Sequence, residues 1–161
     1  MGYDSLLRDA GEVIKVEVSM REPLLTPVVQ SPARTLLLDP ISRSAAVPSF
    51  PVPCLSLEEA MAEKLRAALS RRDVAIRDFY DIDHAVRERG VQLDDPKLLG
   101  LVRRKLTVAG NDPPDASPAR LRVLEAQLEA ELRPVLREAD LALFDLDRAI
   151  GLVAGVASAL L

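Results

Sequence analysis

Charged side chains that could do chemistry are concentrated between residues 63 and 84, in the sequence EKLRAALSRRDVAIRDFYDIDH. Lys64 falls on the apolar stripe of a predicted helix, where leucine or alanine would be expected. Arg71 lies two turns further along the same face, about 10 Å away at roughly 1.5 Å per residue. The lysine either extends along apolar surface to reach water or belongs to a cationic site.

A second predicted helix supplies carboxylates that could pair with these cations. Two antiparallel helices joined by a short turn would bring Lys64, Arg71 and Arg77 close to Asp78. Asp81 lies one turn beyond Asp78 and points further outward. Because buried charge requires pairing, the Lys64–Asp78 pair could be purely structural. It could equally place a lysine against a phosphate group, and the residues alone leave both interpretations open.

Two Asp-x-Asp sequences resemble the paired carboxylates that hold two magnesium ions, but their secondary structure excludes that role. Such pairs sit on a strand, where residues i and i+2 project to one side. Asp81 and Asp83 lie in a predicted helix, where the same spacing separates side chains by about 200°. Asp145 and Asp147 fail for the same reason. We therefore expect no metal at either pair.

Composition limits the classes of protein that the chain can belong to. Its 161 residues, 48% hydrophobic and 29% charged, fit one globular domain or two small ones. A net charge of −4 and few aromatic residues argue against a general nucleic-acid binder. A single cysteine, Cys54, excludes an internal disulfide, and the apolar C-terminal stretch is shorter than the ~20 residues of a membrane span. We expect a cytoplasmic protein with no membrane association.

The elements that must position the charged residues form an α+β fold. Alternation in EVIKVEVSM (residues 12 to 20) predicts a strand, with Glu17 on its polar face. TLLLD (35 to 39) predicts a second strand. From Ser56, which begins a capping box with Glu59, the pattern becomes helical. We predict a small sheet region over 1–55 and a helical region over 56–161, with helices at 57–70, 74–89, 96–107, 118–132 and 140–160.

Two linked motifs resemble the AbiEii/AbiGii-type nucleotidyltransferase toxins. LEEAMAEKLRAALSR (57 to 71) and RDFYDI (77 to 82) are similar to that family's AEK, a basic residue seven positions later, and RD-aromatic-YDL. The resemblance covers about residues 10 to 90 well and the C-terminal helices more loosely. It implies a DNA polymerase β-like fold, in which a small mixed sheet carries metal carboxylates and a helical region completes the nucleotide pocket.

The resemblance also implies roles for particular residues. Lys64 matches the lysine expected to contact nucleotide phosphates. Asp78 and Asp81 match the acidic positions of the motif and are the other implied catalytic residues. Arg71 and Arg77 match its basic positions and are implied to bind nucleotide.

Magnesium binding is the part of the family pattern from which this sequence departs. Glu17 matches the family's third carboxylate and is the implied Mg²⁺ ligand. The family's Gly-Ser…DxD motif has no counterpart, and two-metal transfer needs carboxylates that hold both ions. The resemblance implies Mg²⁺ and a nucleoside triphosphate, with GTP as a candidate, for the complete family enzyme. We expect the chain to be incomplete and inactive alone.

Partners follow from the same resemblance. It implies a nucleotide, a tRNA acceptor as a candidate, and a cognate antitoxin. The alternative is a helical interaction module without chemistry, which binds a partner protein. Self-association through the exposed sheet edge or the apolar C-terminal helix belongs to that alternative.

Overall fold

The computed structural model describes residues 2–4, 11–13 and 23–160, and it confirms the α+β class. The described strands form two antiparallel pairs. The first pair falls partly on the strand predicted for residues 12 to 20, most of which lies outside the described residues. The pairs are β1 (Gly2–Asp4) with β2 (Gly11–Val13), and β3 (Val29–Ala33) with β4 (Phe50–Cys54).

Prolines shape the hairpin formed by β3 and β4. Pro53 pairs with Gln30 and Pro51 pairs with Pro32, so all three prolines occupy alternate pairs of the ladder. In an antiparallel ladder every second residue pair exchanges no hydrogen bonds. A proline, which has no N–H, can occupy such a pair without loss of a ladder hydrogen bond. The β4 residues whose backbone nitrogens point away from β3 are thus prolines. Without N–H groups at that edge, addition of another strand is disfavoured.

The strand predicted for residues 35 to 39 is wrong. This stretch belongs to the connection between β3 and β4 and contributes only an isolated bridge, from Leu38 to Ala45. The Asp39 carboxylate accepts hydrogen bonds from the backbone N–H groups of Ile41 and Ser42 at 3.0 and 2.6 Å, which forms a turn instead. The leucines of residues 35 to 39 do not pack on the core, and Leu36 is 98% exposed.

The helical region contains six described α-helices and one π-helical segment. Four predicted helices begin within two residues of the expected positions, and the fourth continues into the π-helical segment Leu128–Leu132. The helices are α1 (Leu57–Ser70), α2 (Ile76–Arg89), α3 (Pro96–Leu106), α4 (Pro118–Gln127), α5 (Glu138–Leu141) and α6 (Leu146–Leu160).

Local capping signals set most of these boundaries. Ser56 accepts the backbone N–H of Glu59 at 3.1 Å, and Asp95 accepts that of Lys97 at 3.1 Å. Gly90 ends α2 in the left-handed conformation, with φ of 62°. The Glu59 side chain completes no capping box, because it pairs with groups outside α1.

The single helix predicted for residues 140 to 160 is wrong, because α5 and α6 are separate. Asp145 accepts the backbone N–H of Arg148 at 2.9 Å and so begins a new helix. The Arg148 guanidinium also donates to the carbonyl of Leu143 at 2.9 Å, within the turn between the two helices. Asp145 is therefore a cap and not, as predicted, a residue within a helix.

The core lies between α1, α2, α3 and α6. Its fully buried members include Leu65, Leu69, Phe79, Ile82, Val102 and Val153. Contacts also cross the predicted boundary at residue 55, since the hydroxyls of Thr26 and Ser56 lie 3.0 Å apart. The division at that boundary stays a prediction. None of the described helices is both long and apolar enough to cross a membrane.

Candidate functional site

One cleft of about 430 Å³ brings together the five helical residues that the sequence singled out. Lys64 lies on α1 and Arg71 is its C-cap, whereas Arg77, Asp78 and Asp81 lie on the first turns of α2. The antiparallel packing of the two helices places these residues on one surface. The remaining wall is formed by Tyr80, Leu132, Val135 and Leu136.

A buried carboxylate organises the cationic side of the cleft. Asp78 is 5% exposed, and each of its oxygens contacts a different cation. Oδ1 lies 3.2 Å from Lys64 Nζ, and Oδ2 accepts a hydrogen bond from Arg71 Nη1 at 3.0 Å. Both cations keep more than a third of their side chains exposed. Asp78 therefore fixes two cations while leaving them accessible to a ligand.

Lys64 is a cation at neutral pH in this arrangement. Its Nζ also lies 2.7 Å from Asp81 Oδ2. Burial opposes the charge, but the hydrogen bond and negative charge of Asp81, together with those of Asp78, raise the pKa of Lys64 above its ordinary value. An ammonium group has no lone pair, so this lysine cannot act as a nucleophile or a base at neutral pH. Its chemistry is electrostatic.

Arg77 gives the cleft a cation that no carboxylate of the described residues contacts. Its side chain is exposed and lines the cleft, and it has no hydrogen-bond or ion-pair partner among the residues that the structure describes. Among the described residues that line the cleft, three cations thus face two carboxylates, Asp78 and Asp81. The net positive charge and the free guanidinium suit an anion with several oxygens.

The turn between α1 and α2 (residues 71–75) is fixed by a side chain from α4. Ala75, the N-cap of α2, makes no side-chain cap hydrogen bond. Gln127 replaces it, because its Oε1 accepts the backbone N–H of Ile76 at 2.8 Å and its Nε2 donates to the carbonyl of Val74 at 2.9 Å. The orientation of Arg77 therefore depends on a residue 50 positions away in sequence.

A second residue of α4 fixes the same turn from its other end. Arg120 Nη2 donates to the carbonyl of Arg71 at 2.6 Å and to that of Ala68 at 3.3 Å. Sequence reasoning missed this pair of contacts. The available signal was two polar residues, Arg120 and Gln127, seven positions apart and hence on one helix face.

The Asp81-Ile-Asp83 sequence behaves as the helical spacing predicts. Asp81 faces the cleft, whereas Asp83 is fully buried on another side of α2. Asp83 accepts hydrogen bonds from Arg148 Nε at 2.6 Å and Arg87 Nε at 3.0 Å. Burial opposes its charge, but these two arginines lower the pKa of Asp83 below its ordinary value. Asp83 thus ties α2 to α6 and takes no part in the cleft.

The described residues contain no cluster of carboxylates that could by itself hold a magnesium ion. Glu17, the predicted Mg²⁺ ligand, lies outside them. Across residues 2–4, 11–13 and 23–160, no group of three or more His, Cys, Asp or Glu side chains could hold a metal ion. The two carboxylates of the cleft, Asp78 and Asp81, already contact cations, so their charge is not free for a divalent ion.

Fold and cleft together define an α+β protein whose first two long helices hold a Lys-Asp-Arg cluster at an accessible surface. The family model for the nucleotidyl transferase AbiEii toxin of type IV toxin–antitoxin systems matches residues 3–150. The chain therefore belongs to the AbiEii nucleotidyl transferase toxin family, and the match reaches into α6. No curated protein and no solved structure matches the chain.

Proposed function

We propose that the cleft binds the phosphates of a nucleoside triphosphate during transfer of a nucleoside monophosphate to an acceptor. The observation that carries this proposal is the cation cluster around Asp78, which lies within the residues that the family model matches and in which no described residue pairs with Arg77. GTP is the proposed donor, tRNA the proposed acceptor and a cognate antitoxin the proposed partner. Arg71 and Arg77 bind phosphate oxygens as planar donors.

Each carboxylate has a positioning role in this proposal. Asp78 orients Lys64 and Arg71, because it contacts both and is itself nearly inaccessible to a ligand. Asp81 holds the other side of the lysine ammonium. Lys64 then neutralises phosphate charge from a fixed position, which stabilises charge that develops during transfer.

The transfer step requires metal-binding groups beyond the cleft. The family uses a nucleoside triphosphate and a divalent metal, and Glu17 stays the proposed Mg²⁺ ligand of this chain. Since a Gly-Ser…DxD motif has no counterpart in the 161 residues, we expect the purified chain to bind nucleotide without transferring it. Incorporation of labelled nucleotide into tRNA by the purified chain would contradict this part of the proposal.

Binding by the cleft is tested with two neighbouring arginines. Arg77→Ala should weaken GTP binding about five- to tenfold, because it removes a charge-assisted contact from an exposed and partly screened position. Arg72→Ala is the matched control, since Arg72 is also exposed and lies in the turn that precedes α2, but does not line the cleft. Both are measured by calorimetric titration with EDTA present, so that bound metal contributes nothing. Equal affinities for the two variants would contradict the proposed site.

A further inference from the structure

We propose that the apolar wall of the cleft is a subsite for a nucleobase. This inference rests on the proposed function, because it assigns the second half of the same cleft. The cations of the cleft come from α1, its C-cap and α2, whereas the end of the π-helical segment and the turn after it contribute Leu132, Val135 and Leu136. A nucleotide has the same two chemistries, an anionic phosphate chain and a base with apolar faces.

The apolar wall is a fixed structure. Leu132 ends the π-helical segment and is 1% exposed, so it anchors the wall in the core. The carbonyl of Leu132 accepts the backbone N–H groups of both Val135 and Leu136 at 3.2 Å, which sets the turn that follows. Pro134 further restricts this turn. Such π-helical segments occur frequently at functional sites.

Val135 is an exposed apolar residue of the wall that a bound ligand would cover. It is 69% exposed, although the turn that carries it is hydrogen-bonded in place. Because it lines the same cleft as Lys64 and Arg77, a molecule bound to the cations would also cover it. The cleft volume of about 430 Å³ lies within the range of small-molecule sites, roughly 300 to 1,000 Å³.

The leucine and valine side chains of the wall contact the apolar faces of a base but make no hydrogen bonds to its polar edge. Leucine and valine side chains have no hydrogen-bond donor or acceptor. Among the described residues that line the cleft, Tyr80 adds a polar hydroxyl to this apolar group, and its ring packs against His84 and Phe144 with centroids 5.8 and 5.5 Å away. We therefore expect GTP, ATP, CTP and UTP to bind within about tenfold of one another, since apolar contact alone discriminates weakly.

The experiment compares nucleotides with inorganic triphosphate, which has the phosphate chain but no base. Calorimetric titration should show GTP binding at least about fivefold tighter than triphosphate. Val135→Ser should weaken GTP binding about three- to fivefold and leave triphosphate binding unchanged. Val123→Ser is the matched control, because Val123 is 49% exposed on α4 and does not line the cleft. Leu136→Ala, at the same wall, should act in the same direction.

The base could belong to the triphosphate or to the terminal nucleotide of an RNA acceptor. A titration with a short RNA separates these sources: a Val135→Ser effect on the RNA alone would assign the subsite to the acceptor's base. The subsite is refuted if Val135→Ser changes the affinity for neither GTP nor RNA. It is also refuted if triphosphate binds as tightly as GTP and Val135→Ser does not change RNA binding. In both cases the phosphate site stands. If neither GTP nor triphosphate binds, the proposed function itself is refuted.

Discussion

Lys64→Ala is expected to weaken GTP binding by about 10- to 100-fold, which is a larger loss of affinity than the one expected for Arg77→Ala. Hydrogen bonds to charged groups contribute about 1.5–3 kcal/mol, and every 1.4 kcal/mol changes affinity about tenfold. The variant also leaves Asp81 without the ammonium that it contacts, so that a carboxylate would face the phosphates. Arg77→Ala removes only an exposed charge and should have the smaller effect.

Lys97→Ala is the control for this variant. Lys97 is exposed on α3 and does not line the cleft, so its removal changes the net charge equally without touching the site. Identical affinities of the Lys64 and Lys97 variants, measured by calorimetry, would show that the cleft lysine binds no phosphate.

The pH dependence of this effect follows from the raised pKa of Lys64. A lysine with a raised pKa is fully charged below its ordinary value of 10.5 and loses its charge only as pH rises through the higher value in the folded protein. The difference in GTP affinity between the wild-type chain and Lys64→Ala should therefore be the same at about pH 7.5 and 9. A difference that fades over this range would mean that the lysine titrates near neutrality.

Glu59→Ala is expected to lower the free energy of unfolding by about 3 kcal/mol, because buried Lys105 loses its nearer carboxylate and keeps the longer contact with Glu63 at 3.5 Å. Glu59 Oε1 lies 2.7 Å from Lys105 Nζ, and both side chains are at most 5% exposed. Both Glu59 oxygens also lie 3.2 Å from the backbone nitrogen of Leu25. The pair joins α1 to α3 and to the segment that precedes β3.

Urea denaturation measures this effect, with the neighbouring variant Glu58→Ala as the control. Because Glu58 is exposed, its removal should change the free energy of unfolding by less than about 0.5 kcal/mol. The double variant Glu59→Leu/Lys105→Met should recover part of the loss, because an apolar pair leaves no buried charge although the Leu25 N–H still lacks the Glu59 acceptor. A Glu59 variant as stable as the Glu58 variant would show that the ion pair contributes nothing to the fold.

The stabilisation from Glu59 also has a defined pH range. Burial opposes its charge, but the hydrogen bonds from Lys105 and the backbone of Leu25 lower the pKa of Glu59 below its ordinary value of 4.5. Its contribution is therefore fully present above that value and is lost as pH falls through the lower pKa of the folded protein.

Local signals account for what the sequence predicted correctly. Ser56, Asp95 and Gly90 act within one turn of their own positions, so the ends of α1, α2 and α3 could be read directly. The Lys64–Asp78 contact was also predictable, because helical spacing placed both residues beside the apolar stripe and a short turn joined the helices.

The missed features depend on contacts that are distant in sequence or on competing turns. Gln127 contacts the turn between α1 and α2 from more than 50 residues away, and no local pattern specifies that pairing. The apolar run at residues 35 to 39 has strand composition, but Asp39 forms a turn within it. Asp145 likewise begins a new helix within continuous helical spacing.

Lysine side-chain NMR tests most directly the central claim that the cleft around Lys64 binds the phosphates of a nucleotide. The chain has four lysines, at positions 15, 64, 97 and 105, so their ε-methylene signals can be assigned individually. On addition of inorganic triphosphate, we expect the Lys64 signal to shift while those of exposed Lys97 and buried Lys105 stay in place. An unchanged Lys64 signal, or an equal shift at Lys97, would contradict the claim.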